Sequence, residues 1–177
     1  MIKKAYFAGG CFWCTESIFQ RIRGVIEVIP GYMGGHIKNP SYREVCNGDT
    51  GHTETIKILY DQGLVSYGEL LEIFFMTHDP TTLNRQGNDV GSQYRSAVFY
   101  NNFEEKIQIV DCISQLDKEG IFEKPIISEV NNESSFYPAE KEHHNYYNQN
   151  AEQPYCQFVI SPKIKKLRSI FNQYTIS

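Results

Sequence analysis

Short segments rich in β-branched and aromatic residues alternate along this chain with longer amphipathic segments, and this alternation is the strongest constraint on its fold. Side chains in a strand alternate between two faces, whereas a helix brings residues three or four positions apart onto one face. Strands interleaved with helices of ten or more residues indicate one mixed sheet with helices packed on it. The pattern therefore predicts an α/β or α+β sandwich and leaves the strand order open.

Turn and capping residues give the expected element boundaries. Ser66, followed three residues later by Glu69, has the capping-box pattern for a helix through Met76, and Gly24 and Gly120 are expected to end two other helices. The predicted strands are residues 3–8, 25–32, 53–60, 94–100 and 126–130. The predicted helices are residues 11–23, 66–76, 102–118, 138–147 and 162–171.

Composition narrows the class of protein. A chain of 177 residues with 41% hydrophobic content is expected to form one domain, spanning residues 1–177. A net charge of -4 with scattered Lys and Arg argues against a nucleic-acid partner. The apolar stretches are short and no secretory signal is recognisable, which predicts a soluble, cytoplasmic protein without a membrane partner. Five cysteines in such a compartment indicate redox chemistry, metal binding or burial rather than a disulfide framework.

One motif places a thiol at the start of a helix. The residues Gly9-Gly10-Cys11-Phe12-Trp13-Cys14 follow a predicted strand and open a predicted helix. At that position unpaired backbone N–H groups and the helix dipole favour the thiolate, so we expect a lowered pKa at Cys11. Phe12 and Trp13 stand directly beside the thiol and form a candidate apolar wall for a methyl group.

These and further motifs together resemble those of the A-type peptide methionine sulfoxide reductases. The shared motifs cover nearly the whole chain, from Ala5 to about Cys156, in the order found in that family. Beyond Gly9-Gly-Cys-Phe-Trp-Cys14 with Glu16, they are Gly31-Tyr-Met-Gly-Gly35, Asn39-Pro-Ser-Tyr42, Glu44-Val-Cys46, Thr50-Gly-His-Thr-Glu54, His78-Asp-Pro80, Asn84-Arg-Gln-Gly-Asn-Asp89, Gly91-Ser-Gln-Tyr-Arg-Ser96 and Phe136-Tyr-Pro-Ala-Glu140.

The resemblance implies a fold and a set of roles. It implies a two-layer α+β sandwich with a ferredoxin-like core, and a nucleophile at Cys11 that attacks the sulfoxide sulfur and keeps its oxygen as a sulfenic acid. Glu54 matches the acid that protonates the sulfoxide oxygen. Further matches are Tyr42 and Tyr94 as donors to that oxygen, Asp89 as an organising carboxylate, and Phe12 and Trp13 as the pocket for the substrate methyl.

A second thiol must convert the sulfenic acid to a disulfide, and two candidates remain open. Cys14 lies about one helical turn from Cys11, within the separation of roughly 5 to 6 Å that a disulfide tolerates. Cys156 matches a carboxy-terminal recycling cysteine of many family members. His143 is expected to be a supporting residue, and Cys46 and Cys112 are interpreted as packing residues.

The resemblance also implies the reaction partners. The substrates would be oxidised proteins or peptides and free methionine S-sulfoxide, reduced by a monomer that holds no cofactor and no metal. Reducing equivalents would come from thioredoxin or another dithiol carrier.

Two other functions fit parts of the sequence. A thioredoxin-like disulfide oxidoreductase also presents a Cys-x-x-Cys pair between a strand and a helix, but it usually has small or proline residues between the cysteines. A zinc module would use Cys11, Cys14 and two of Cys46, His36 and His52, yet no second closely spaced pair completes the usual pattern.

Overall fold

The computed structural model describes residues 1–176. Eight strands are present: β1 (Ile2–Ala8), β2 (Val25–Met33), β3 (Thr53–Asp61), β4 (Arg85–Gln86), β5 (Asp89–Val90), β6 (Ala97–Tyr100), β7 (Glu129–Asn132) and β8 (Tyr137–Pro138). The α-helices are α1 (Phe12–Phe19), α2 (Tyr42–Cys46), α3 (Tyr67–Met76), α4 (Phe103–Lys118), α5 (Tyr146–Gln149) and α6 (Ser161–Ile170). A π-helical turn, Cys156–Ile160, leads directly into α6.

Six of the strands form one mixed sheet in the order β7-β6-β1-β3-β2-β8. All neighbouring pairs in this sheet are antiparallel except β6 and β7, which are parallel. Strands β1, β2, β3 and β6, with α1 and α3 as the connecting helices, give the β-α-β-β-α-β arrangement of a ferredoxin-like core. The α+β sandwich expected from the sequence is therefore confirmed.

Side chains along β1 point alternately to the two faces of the sheet. Ala5 and Phe7 point into the main core, whereas Tyr6 and Ala8 belong to a smaller apolar cluster on the opposite face. The main core includes the inner faces of α1, α3 and α6, and its largest fully buried side chains are aromatic or aliphatic. This core fixes the position of the β1–α1 turn.

Most predicted elements are present, with shifted ends. The capping box at Ser66 and Glu69 is confirmed, and Asn102 caps α4 through its side chain. The strand predicted from residue 94 begins at Ala97, because residues 92–94 form a 3₁₀ turn, and the strand predicted for residues 126–130 occupies Glu129–Asn132.

The helix predicted for residues 138–147 is wrong. Pro138 belongs to the edge strand β8, where a residue without an N–H is tolerated, and a 3₁₀ turn and the short α5 follow it. Asn145 interrupts any longer helix, because its backbone adopts a left-handed conformation with φ of 56°.

The described residues were also searched for a membrane span. Among residues 1–176, no helix combines the length and the apolar character that crossing a bilayer requires.

Candidate active site

The thiol of Cys11 lies at the junction of β1 and α1. Cys11 is the residue before the first helical position, and its side chain is only 8% exposed. The turn before it depends on Gly10, which has φ of 89° and packs against Gln86. A Cβ atom at Gly10 would lie 2.6 Å from Cγ of Gln86, so the position has no room for a side chain. The turn thus holds the sulfur at the edge of the core.

Glu54 is the acid that lies beside this turn. It projects from β3 and is 1% exposed, and its Oε1 accepts a hydrogen bond of 3.0 Å from the backbone N–H of Phe12. Its Oε2 is buried and has no hydrogen-bond partner among residues 1–176. Burial raises the pKa of Glu54 to about 8, although the Phe12 N–H acts in the opposite direction. Glu54 is therefore mostly protonated at neutral pH.

The proton of Glu54 has a defined position. In a neutral carboxyl group one oxygen carries the hydrogen and the other is the better acceptor. Because Oε1 accepts from Phe12, the hydrogen belongs on Oε2, the oxygen without a partner. A buried donor without an acceptor is costly, and it marks a place where a ligand oxygen would bind favourably.

Two phenols lie close to this carboxyl group. Burial raises the pKa of Tyr42 and of Tyr94, and the charge that Glu54 carries when ionised raises both further. Both hydroxyls are therefore protonated donors at neutral pH. Tyr42 is held by Glu140, whose Oε2 accepts a 2.9 Å hydrogen bond from the Tyr42 N–H while its Oε1 accepts one of 3.0 Å from the Tyr32 hydroxyl.

The Cys11 and Cys14 thiols interact with each other. Burial raises the pKa of Cys11 well above its ordinary value, and the neighbouring Cys14 thiol and the Glu54 carboxylate add to the effect. The hydrogen bond with Cys11 lowers the pKa of Cys14 to about 7 against the effect of burial, and the Lys163 charge and the Tyr155 hydroxyl also lower it. The pair thus loses its first proton near neutral pH, and the remaining proton is shared between the two sulfurs.

The lowered pKa expected at Cys11 is therefore not found. Desolvation of the buried Cys11 thiol is the largest cause of its raised pKa. The hydrogen bond from the Trp13 backbone N–H favours the Cys11 thiolate but does not outweigh burial, and the Phe12 N–H binds Glu54 Oε1 instead of the sulfur.

Asp89 is connected to the thiols through Tyr155. The Tyr155 hydroxyl donates a 2.7 Å hydrogen bond to Oδ2 of Asp89 and lies 3.5 Å from the Cys14 sulfur. A cavity of about 380 Å³ opens over Cys11 and Cys14 beside this pair. We call it the thiol cavity; its other lining residues are Gln86, Gly87, Asn88, Phe158, Val159 and Lys163.

The two aromatic residues of the motif have different surroundings. The Phe12 side chain is fully buried and stacks on Tyr42 with ring centroids 6.3 Å apart. Trp13 is partly buried, and Tyr146 covers one face of its ring at a centroid distance of 3.7 Å. The Trp13 Nε1–H donates a 3.1 Å hydrogen bond to Nδ1 of His143, so His143 supports the Trp13 ring.

The remaining cysteines differ in exposure. Cys156 is fully buried at the start of the π-helical turn, and burial raises its pKa. Cys46 is exposed and Cys112 is half-buried on α4. All five cysteines are free thiols.

Three supporting residues carried no chemical signal in the sequence. Glu140 contacts Tyr42 from 98 residues away, and Tyr155 contacts Cys14 from 141 residues away. Tyr146 reaches Trp13 from a similarly distant segment. Glu140 lies in a matched motif, but nothing in its local pattern indicates that it binds Tyr42. Such contacts depend on the tertiary fold, which local spacing does not encode.

His52, one candidate ligand of the zinc alternative, has both ring nitrogens engaged within the fold. Nδ1 of His52 accepts a 3.0 Å hydrogen bond from the Gly35 N–H, and Nε2 lies 2.6 Å from the Ile37 carbonyl oxygen. Residues 1–176 also contain no group of three or more His, Cys, Asp or Glu residues arranged to hold a metal ion.

Comparisons with known proteins place these features in a family. A family model described as peptide methionine sulfoxide reductase matches residues 3–175. The chain is 52% identical over 171 residues to "Peptide methionine sulfoxide reductase MsrA" of Chromobacterium violaceum, covering 97% of each chain. The reduced form of Mxr1 from Saccharomyces cerevisiae superposes with a TM-score of 0.80 and 30% identity, covering 88% of this chain and 89% of that chain.

The same yeast protein was also solved in complex with Trx2. That structure superposes with a TM-score of 0.56 and 21% identity, covering 82% of this chain and 84% of that one. At this identity the match carries information about the fold alone.

Proposed function

Because this chain belongs to the peptide methionine sulfoxide reductase family, we propose that Cys11 is the nucleophile and Glu54 the acid of that reaction. The chain is an enzyme that reduces methionine sulfoxide to methionine with thiols, and a thioredoxin-like disulfide oxidoreductase is excluded as its family. Our proposal adds three points: which residues carry out the reaction, which epimer of the sulfoxide is reduced, and which carrier reduces the enzyme. The observation that carries the proposal is the buried, unpartnered Oε2 of Glu54 beside the Cys11 turn.

In the first step the Cys11 sulfur attacks the sulfur of the sulfoxide. Its proton moves to the Cys14 sulfur, which carries the negative charge of the pair near neutral pH. Glu54 Oε2 gives its proton to the sulfoxide oxygen, which cannot leave as an oxide ion. The attack forms a bond between the two sulfurs, and the protonated oxygen stays on the substrate sulfur as a hydroxyl. Both bonds then break at the substrate sulfur: one electron pair forms the S–O bond of the Cys11 sulfenic acid, and the other remains on the sulfur of methionine. The net change is one thiol and one sulfoxide converted to one sulfenic acid and one methionine.

Tyr42 and Tyr94 stabilise the oxygen during this step. Both are neutral phenols near the Glu54 carboxyl group, so both can donate to the same substrate oxygen. The Phe12 ring stacks on the Tyr42 ring and supports it. Trp13 is the aromatic surface for the methyl group of the S epimer.

For the second step we favour Cys14 over Cys156. Cys14 already interacts with Cys11 and has the lower pKa, whereas the Cys156 thiol is fully buried within an ordered π-helical turn. The Cys14 sulfur attacks the sulfenic sulfur of Cys11, a disulfide forms, and the hydroxyl leaves as water. Asp89 serves this step by holding the Tyr155 hydroxyl against Cys14.

Serine variants decide between the two recycling thiols. We expect Cys14→Ser to complete one turnover and then to stop when a dithiol carrier is the only reductant. Cys156→Ser should keep most of its carrier-driven turnover. The reverse order of the two rates would assign recycling to Cys156.

The carrier and the cellular setting complete the proposal. We propose that a thioredoxin-like dithiol reduces the disulfide, because Mxr1, the yeast protein that is 30% identical to this chain in its reduced form, was also solved in complex with Trx2. The substrates are methionine S-sulfoxide in peptides or proteins and the free amino acid. The working form is one cytoplasmic domain, a monomer that needs neither cofactor nor metal.

One assay tests the nucleophile and the epimer together. Incubation with either epimer of a methionine sulfoxide peptide and dithiothreitol should reduce the S epimer, with mass spectrometry as the readout. Cys11→Ser should lose all activity, whereas Cys112→Ser, a cysteine variant on α4, should keep it. Activity that survives in Cys11→Ser would refute the assignment.

A further inference from the structure

A second and larger cavity, of about 530 Å³, lies next to the thiol cavity. Its walls come from the segment after α3, from residues 122–124 and from α6. We call it the basic cleft, because four of its lining residues are cations: Arg85, Lys124, Lys163 and Lys166. The reaction proposed above uses none of these four cations as a chemical group.

The charge of the cleft is opposite to that of the whole chain. Only two carboxylates, Asp79 and Glu123, line the cleft together with its four cations, while the net charge of the chain is -4. Within residues 1–176, no carboxylate lies within 4.0 Å of any of the four cationic groups. One oxygen of Asp79 is already hydrogen-bonded, because its Oδ1 accepts from the N–H of Thr81 at 3.0 Å and from the Thr81 hydroxyl at 2.6 Å. The cations are therefore free to bind an external anion.

The basic cleft and the thiol cavity share part of their walls. Gln86 and Lys163 line both cavities, and Gln86 packs against Gly10 in the Cys11 turn. The Lys163 charge also acts on the Cys14 thiol. The cleft therefore lies beside the side of the site that holds Cys11 and Cys14.

We propose that the basic cleft binds carboxylate side chains that flank the oxidised methionine in a polypeptide substrate. The inference rests on the proposed function, since it places the sulfoxide over Cys11. The four unpaired cations complement a peptide that carries carboxylates, and the cleft adjoins the cavity over the Cys11 thiol, which favours a substrate peptide as its occupant.

The test compares peptides that differ only in charge. Methionine S-sulfoxide peptides with aspartate, asparagine or lysine on either side of the oxidised residue are reduced by the thiol form in single turnovers, without carrier. We expect the aspartate peptide to have the largest rate per substrate concentration, about two- to fivefold above the asparagine peptide for each cation engaged. The advantage should decrease as salt rises, because screening weakens exposed ion pairs.

Variants of lysines inside and outside the cleft show which residues cause the preference for aspartate. Lys166→Glu should abolish the preference for aspartate or reverse it, and Lys124→Ala should reduce it. Lys165→Ala is the matched control, because Lys165 lies on α6, is exposed and does not line the cleft. All three variants should reduce the asparagine peptide at the wild-type rate.

The possible outcomes separate the two proposals. Equal rates for the three peptides, or equal effects of Lys165→Ala and Lys166→Glu, would overturn the cleft assignment while reduction itself continues. A defect that occurs only with carrier would also overturn it, since the cleft would then bind the carrier. If no peptide is reduced by the wild-type thiol form, the proposed function itself fails.

Discussion

At the scale of single residues, the site depends on the difference between the two oxygens of Glu54. Oε1 accepts from the Phe12 N–H, and Oε2 is buried and has no partner in residues 1–176, which makes Oε2 the oxygen suited to carry a proton. Burial keeps this carboxyl group neutral near pH 7. A general acid must hold its proton until the substrate oxygen arrives, and this environment provides that condition.

We expect Glu54→Gln to slow sulfoxide reduction about 100-fold or more, because an amide cannot protonate the leaving oxygen. Substrate affinity should change little, since the amide keeps the size of the side chain and its acceptor for Phe12. Single-turnover rates across a range of substrate concentrations measure both effects. Glu72→Gln, an exposed substitution on α3, is the control. An unaltered rate in Glu54→Gln would remove Glu54 from the acid role.

The rate of sulfoxide reduction should pass through a maximum between about pH 7 and about pH 8. It rises as the thiol pair loses its first proton, for which the pKa of Cys14 is about 7. It falls as Glu54 ionises, with a pKa of about 8, because only the protonated acid is active. Glu54→Gln should lose the decrease at high pH, and a wild-type rate that still increases above about pH 9 would contradict this account.

Sequence reasoning predicted that Cys11 and Glu54 belong to one site, but it did not predict their protonation. The Cys11 motif and the match at Glu54 identify both groups, and the structure places them on either side of the Phe12 N–H. The raised pKa of Cys11 could not be predicted from the motif, because its largest cause is burial in the folded chain, and Glu54, which lies more than 40 residues away along the chain, adds to it. The Tyr155 contact with Cys14 is similarly remote.

At the scale of elements, the turn between β1 and α1 sets the position of the nucleophile. It needs a residue that accepts a positive φ and has no side chain, because Gln86 fills the space beside Gly10. The same Gln86 binds both backbone polar groups of Asp79, with distances of 2.9 Å. The turn is therefore connected to the segment after α3.

Gly10→Ala should destabilise the protein by about 2 kcal/mol or more and also slow sulfoxide reduction. The left-handed φ costs a residue with a Cβ about 1 kcal/mol, and the contact with Gln86 adds a steric cost. Gly48→Ala isolates the conformational cost, because Gly48 has φ of 82° but a Cβ there would have no atom within 4 Å. Thermal unfolding and single-turnover rates measure both variants, and equal effects of the two substitutions would contradict the steric argument.

The elements also mark where local patterns stop being informative. The capping-box signal at Ser66 and Glu69 predicted the start of α3 correctly. Pro138 was misleading, because a proline suits both the first turn of a helix and an edge strand. Pairing of β8 with β2 decides between these possibilities, and that pairing depends on residues about 100 positions apart.

At the scale of the whole molecule, the buried acids make stability dependent on pH. The pKa of Glu54 is raised from 4.5 to about 8 in the folded chain, and that of Glu16 from 4.5 to about 7. Between these values the unfolded chain has released protons that the folded chain still holds. Stability therefore decreases as pH rises through this window.

Glu54→Gln should remove the contribution of Glu54 to this dependence. The stability of the variant relative to wild type should increase from about pH 4.5 to about pH 8 and then level off. The total change is on the order of a few kcal/mol, because desolvation no longer opposes the charged form. Melting temperatures at several pH values measure it, with Glu72→Gln, an exposed substitution on α3, as the control. A constant difference for Glu54→Gln would contradict the raised pKa.

The ferredoxin-like core explains how distant segments form one site. The family resemblance implied this fold, whereas the alternation of strands and helices alone left the strand order open. In the structure β3 lies beside β1, and this brings Glu54 to the turn that carries Cys11. The segments after α3 and after β8 then add Asp89, Tyr155 and Glu140 around the thiols and the phenols.

The most direct test of the central claim is to trap the oxygen after it leaves the substrate. A Cys14→Ser, Cys156→Ser double variant is given one equivalent of methionine S-sulfoxide peptide without reductant, then treated with a sulfenic-acid reagent and analysed by peptide mass spectrometry. The account predicts one equivalent of methionine peptide and a single adduct on Cys11. Methionine released without an adduct on Cys11, or an adduct on another cysteine, would contradict it.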